Sequence, residues 1–163
     1  MREAALSRSL RNRFVVSGLG IALFSFGAHA RAPAGQYQTF DQGDDTIRDA
    51  RTKLVWQRAV APQLTWAAAA QTCDTLQLGG NTFRLPTVKE LLSIVDEEVD
   101  HVYVGTDELE PRAIDRFAFP GTPGALFWTS TKAGSDAFVI DFRYGNTQTL
   151  PLDLKLAVRC VAN

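Results

Sequence analysis

Apolar and polar positions follow three different patterns along this chain. The first is a run without a single charge, residues 14–28, preceded by Arg2, Arg8, Arg11 and Arg13 and followed by Ala28-His29-Ala30. A basic stretch, a short apolar run and a small-x-small triplet predict a signal peptide over residues 1–30, cut after Ala30. At 1.5 Å per residue the run reaches about 22 Å, short of the roughly 30 Å hydrocarbon core of a bilayer. An uncleaved anchor is the alternative. The expected product is periplasmic or secreted, with no stable membrane span after cleavage. Residues 31–43 read as a short tether and residues 44–163 as one domain.

The second pattern has the period of a helix. Trp66, Ala69, Ala70 and Cys73 stand at i, i+3, i+4 and i+7 and share one face. They predict a helix from Trp66 to about Leu76, with Thr65 as N-cap and Gly79-Gly80 ending the segment. Thr87-Val88-Lys89-Glu90 is a capping box directly after Pro86. Val88, Leu91, Leu92 and Val95 continue it as a second helix. Asp96, Glu97, Glu98 and Asp100 follow where negative charge opposes the helix dipole, so they need solvent or a cation.

The third pattern alternates. Residues 46–48 and 54–57 read as strands joined by a turn that Asp49 opens. Residues 126–130 are strand formers, and Phe138, Ile140, Phe142 and Tyr144 alternate with Val139, Asp141 and Arg143. Tyr144-Gly145-Asn146-Thr147 is the turn that follows. Leu156, Val158 and Cys160 alternate with Ala157, Arg159 and Val161, which points Cys160 inward. Residues 99–125 show no regular pattern and are expected to form a loop, with Ile114, Phe117 and Phe119 reaching the core. Two helices and several strands give an α+β domain.

Hydrophobic residues make up 45% of the 163, enough for a real core. The formal charge is −1; residues 1–30 hold four Arg and one Glu, a net +3, which leaves −4 for the rest. Nucleic-acid binding needs a basic face and is not expected. The two cysteines, Cys73 and Cys160, read as a disulfide in an exported chain, with two buried thiols as the alternative.

Several blocks, in this order, carry a family likeness: Leu54-Val55-Trp56-Gln57, Thr65-Trp66…Cys73, Leu78-Gly79-Gly80, Arg84-Leu85-Pro86-Thr87…Glu90-Leu91, Phe127-Trp128-Thr129-Ser130-Thr131, and Val158-Arg159-Cys160-Val161. They resemble the bacterial domain family named for the C-terminal domain of the Legionella collagen-like adhesin, over about residues 44–162. The resemblance implies a C-type-lectin-like fold: two helices flanking a twisted antiparallel sheet, the chain ends close together, and a disulfide between the first helix and the last strand. It also implies a surface or exported protein. The adhesin's domain is associated with sulfated glycosaminoglycans and trimer formation, and the net acidic charge here argues against the same polyanion. Lys53 stands where the family usually has Gly, and Asn81-Thr82-Phe83 departs from its pattern. The Glu-Pro-Asn, Gln-Pro-Asp and Trp-Asn-Asp triplets of calcium lectins are absent.

For catalysis the domain offers one histidine, His101, with no partner signature around it. One His and a cysteine pair do not make a zinc site. No phosphate loop or dinucleotide fingerprint is present. Asp96, Glu97, Glu98, Asp100, Asp107, Glu108 and Glu110 are dense enough for an acid–base pair or for Ca²⁺, but no calcium-loop spacing is met. No catalytic residue, metal ligand or cofactor is therefore expected. Trp56, Trp66, Arg84, Pro86, Thr87, Glu90, Trp128 and Arg159 read as scaffold, the two arginines through their fork of donors to a carboxylate or to loop carbonyls. Arg143, Tyr144 and Asn146, near a turn, are the candidate ligand contacts. The expected function is a non-enzymatic recognition or adhesion module that binds a glycan or a cell-envelope protein. An envelope-polymer hydrolase, or a structural subunit assembling with itself, are the alternatives.

Overall fold

The computed structural model describes residues 32–39, 45–105 and 108–163. The expected signal peptide lies outside them. Within the expected tether, β1 (Tyr37–Gln38) pairs with β2 (Thr46–Asp49). The turn after β2 is built as its sequence predicts: Asp49 Oδ1 accepts from the Arg51 amide at 2.8 Å and Oδ2 from the Thr52 hydroxyl at 2.8 Å. β3 (Val55–Gln57) returns antiparallel to β2.

β4 (Ala61–Leu64) leads into α1 (Trp66–Thr75), of which Ala69 and Cys73 are fully buried. Thr65 sits at the N-cap but its hydroxyl makes no capping bond. The helix stops at Thr75, and Gly79-Gly80 form the turn between β5 (Gln77–Leu78) and β6 (Asn81–Thr82) rather than a helix end. α2 (Val88–Leu92) carries the complete capping box of Thr87 and Glu90. It is shorter than its apolar spacing predicts. The amides of Ser93, Ile94 and Val95 bond three residues back, which tightens and ends the helix, and Ile94 is buried.

Residues 99–125, expected as a loop, contain the hairpin of β7 (Asp100–Val104) and β8 (Glu108–Arg112). Ile114 and Phe119 are buried as expected, but Phe117 is 71% exposed. β9 (Leu126–Ala133), β10 (Asp136–Asp141) and β11 (Asn146–Pro151) form a meander. The turn from β10 to β11 covers residues 142–145, two residues earlier than expected.

The final segment, which reads as one strand, is two. β12 (Leu156–Val158) joins the order β11-β10-β9-β12-β4, and β13 (Val161–Ala162) joins β1-β2-β3-β13. The chain changes sheets at Arg159-Cys160. The expectation of two helices flanking one antiparallel sheet is therefore corrected. The strands divide among two sheets and two hairpins, β12 runs parallel to β9, and α2 has only five residues. The domain is mostly sheet.

Alternation places neighbours in two separate buried clusters. Trp56, Phe127, Ile140, Ala157 and Val161 enter one, with Leu91, Ile94, Ile114 and Phe119. Val55, Trp128, Val139, Val158 and Ala162 enter the other, with Ala69, Cys73 and Cys160. Central strands buried on both sides lose the clean polar alternation of a one-sided sheet. Cys73 and Cys160 are bonded, S–S 2.01 Å, across 87 residues.

Candidate functional site

The residues read as scaffold are committed inside the fold. Arg84 grips Glu90 with two bonds, 2.8 and 2.7 Å, and reaches the Asn163 side chain at 2.9 Å. Glu90 also accepts from the Thr87 amide at 2.8 Å. The Arg84 guanidinium is the chief reason that the Glu90 carboxyl is held down to about 2, with the Thr87 bonds adding to it. Pro86 carbonyl accepts from the Ser130 amide at 2.7 Å. Trp66 and Trp128 donate to the carbonyls of Thr129 and Leu64, both at 2.8 Å, and Trp56 is fully buried.

Arg159 is fully buried without a carboxylate partner among the described residues. It donates to the carbonyls of Gln57 at 2.6 Å and Arg58 at 2.7 Å and to the Thr122 hydroxyl at 2.5 Å. Its guanidinium lies 4.7 Å from the centre of the Phe119 ring. Burial pushes its pKa down to about 9. Its donors tie β3 and the loop at Thr122 to the point where the chain changes sheets.

The three expected ligand contacts divide. Arg143 spends its fork on Asp141, with bonds of 2.6 to 3.0 Å. Burial alone would raise the Asp141 pKa, but the Arg143 guanidinium and amide outweigh it and hold the carboxyl below its usual range. Arg143 thus locks the turn. Tyr144, 66% exposed, and Asn146 face solvent. A Cβ on Gly145 would meet Val95 Cγ1 at 2.5 Å, so the turn packs against the segment after α2.

That segment lines a cleft of about 290 Å³. One wall is Ala32, Pro33, Gln36 and Tyr37; the other is Ser93 to Glu97, with Arg51 and Asp115. The N-terminal strand is held by the Ala50 amide, which donates to the Gln36 carbonyl at 2.7 Å, and by Tyr37, whose ring meets Phe119 edge-on at 5.2 Å. Burial first, then Asp49 and Asp115, push the Tyr37 hydroxyl well above its usual pKa, so it stays a neutral donor. Arg51 donates to the Ser93 carbonyl at 3.4 Å. Asp115 Oδ1 accepts from the amides of Phe117 and Ala118 at 2.8 and 3.0 Å. A second cleft of about 260 Å³ shares Ala32, Pro33, Tyr37 and Asp115 with it and reaches Phe117. A further, polar hollow is lined by residues 80–84 and 162–163, and in it Arg84 already donates to Asn163.

Of the acidic run, Asp96 and Glu97 enter the cleft, while Asp100 lies 3.8 Å from Arg116 at the base of the hairpin. His101 is exposed on β7, opposite Pro111. Among the described residues no three His, Cys, Asp or Glu side chains are grouped to hold a metal ion, and no helix is long and apolar enough to cross a membrane. Sequence reading missed Gln36, Tyr37, Arg51 and Asp115. Two of them fall in an expected tether and none belongs to a motif.

Fold and cleft together define a small, mostly β, disulfide-closed domain with an open cleft in which Tyr37 and small apolar side chains meet Arg51, Asp96, Glu97 and Asp115. The chain matches the family model of the Lcl C-terminal domain over residues 45–162, and it belongs to that family. No curated protein and no solved structure matches it.

Proposed function

We propose that this protein is an exported, non-enzymatic recognition or adhesion module that binds a glycan of the cell envelope or cell surface. One observation carries the reading: the cleft beside Tyr37 combines aromatic wall, neutral hydroxyl, carboxylates and Arg51 at the small end of the size range of ligand pockets, which starts near 300 Å³. Sugars are bound by that mixture, with C–H faces on rings and hydroxyls on charged and amide groups. Tyr144 in the turn and Asn146 at the start of β11 flank Gly145, which packs against Val95 of the cleft wall. We further propose that the domain is a variant of the C-type-lectin-like fold. A helix cysteine bonded to one near the chain end, and β1 and β13 in one sheet, support this.

The test is binding of the purified, oxidised protein to a broad array of neutral, amine-bearing and sulfated glycans, with calcium and with chelator. Specific retention with no shortening of the bound glycan is expected. Shortened products that disappear in Asp115→Asn would replace this reading with that of a hydrolase.

A further inference from the structure

β11 ends the order β11-β10-β9-β12-β4, so one side of it has no strand beside it. It pairs with β10 in unbroken register, from Asn146 opposite Asp141 to Pro151 opposite Asp136. Among the described residues, no hydrogen bond joins the backbone of residues 146–150 to anything but β10. The free side of β11 is thus a row of N–H and C=O groups left to water. Proteins guard such edges with short strands, charge, proline or a bulge. The other edges among the described residues carry those guards. β1, β5, β6 and β13 have two residues each, and Arg84 pairs with Val161 of β13. β4 holds Pro62 and meets β12 through an irregular register. In the β7–β8 hairpin, Asp100, Glu108, Glu110 and Arg112 put charge on both strands. β11 has no such guard: residues 146–150 are uncharged, 146–149 are exposed, and Pro151 comes only at the end.

The strand's own sequence says what pairs there. A two-fold axis through an antiparallel pair passes at a residue, because each ring of paired hydrogen bonds is centred on one. Centred on Gln148, the pairing uses residues 146–150 and leaves out Pro151, which has no N–H to donate. It sets Gln148 opposite itself and Thr147 opposite Thr149 of the second copy. Thr–Thr pairs are favourable across strands, and no like charges meet. The same axis brings the start of one β11 beside the end of the other. Tyr144, 66% exposed, stands just before the strand, and Leu154, 42% exposed, just after it. Antiparallel pairing carries each of these apolar side chains toward the other, which water otherwise surrounds. A foreign peptide added as a strand takes its specificity from side-chain pockets, and none of the clefts described above is lined by residues 146–151.

We propose that β11 is a self-association edge: two copies of the chain join through antiparallel β11 strands, Gln148 against Gln148, and one sheet runs through both. Residues 146–150 cover far less than the roughly 800 Å² per partner of a standard interface, so rising concentration drives this dimer. It does not depend on the glycan-binding reading above.

The experiment is sedimentation velocity of the purified, oxidised protein over a series of concentrations. The wild type should move from monomer to dimer as concentration rises. Thr147→Lys with Thr149→Lys sets lysine against lysine across the strands and should abolish the dimer. Thr147→Lys with Thr149→Glu sets opposite charges together and should restore it. Both variants lose the same two threonines, so the difference between them reports pairing rather than folding. Both cysteines of the chain are in the disulfide, so Gln148→Cys adds a single free thiol, at the axis. Mild oxidation should link it to the same residue of the second copy. Asn146→Cys, which faces Leu150 in this register, should not link. A wild type that stays monomeric at its highest soluble concentration overturns the proposal, as does a trimer, which a two-fold edge pairing does not form. So does a dimer that the paired lysines leave intact, or one that the opposite charges fail to restore. Equal linking by Gln148→Cys and Asn146→Cys would overturn it too.

Discussion

Lys53 holds a left-handed backbone, φ +67°, the only non-glycine to do so among the described residues. An L side chain costs about 1–2 kcal/mol there, and Gly recovers most of it minus its own chain entropy of roughly 0.5–1 kcal/mol. The bond from Lys53 Nζ to the Ala50 carbonyl, 2.7 Å and exposed, offsets little. Lys53→Gly should therefore stabilise the domain by about 0.5–1 kcal/mol, seen as a higher urea midpoint at unchanged slope. A lower midpoint would mean that the lysine bond outweighs the strain. The sequence marked this position only as a departure from the pattern it resembles, a Lys in place of Gly, and not as a left-handed residue. Phe117 was not legible: an isolated Phe in an irregular stretch reads as core, and only the clamps of Asp115 and Arg58 turn it outward. Arg143 shows the converse. Near a turn it looks available, but Asp141 two residues away takes its fork.

Among the elements, α2 was read best at its start. The capping box needs only residues within four positions of each other, so it is visible locally. The helix end was not, since it depends on Ile94 turning into the core and Val95 meeting Gly145. Glu90 makes the start testable by pH. Its folded pKa, about 2, lies below the ordinary value of 4.5. The native state thus binds fewer protons than the unfolded chain between these values. The stability that Glu90 contributes is fully present above about pH 4.5 and is lost as pH falls toward 2. Glu90→Gln should cost about 1 kcal/mol at pH 7, a modest figure because the Arg84 side of the pair is open to solvent, and should flatten the acid limb of stability. An acid limb as steep as the wild type's would show that other carboxylates govern it.

At the scale of the whole molecule the disulfide closes a loop across 87 residues. In the chain-entropy model such a loop is worth about 4–5 kcal/mol, so Cys73→Ser with Cys160→Ser should lower unfolding free energy by about that much. A change under about 1 kcal/mol would mean that the two packed clusters hold the fold without it. The pairing was legible because helical spacing and strand alternation each turned one cysteine inward. The division into two sheets was not. Alternation says which face a residue points to, but not which strand lies beside it, and Arg159 sets the change of sheet through bonds to Gln57 and Arg58 about a hundred residues away. The cleft itself joins residues 32, 33, 36, 37, 51, 93–97 and 115, which only the fold brings together. Its role is tested most directly by amide chemical-shift mapping of the oxidised, ¹⁵N-labelled protein with the tightest glycan from the array. The account predicts shifts concentrated at Gln36, Tyr37, Asp96, Asp115 and Phe117, with Arg84 and Arg159 unmoved. Shifts confined to β11 or to the hollow beside Asn163, or none with any glycan, would contradict it.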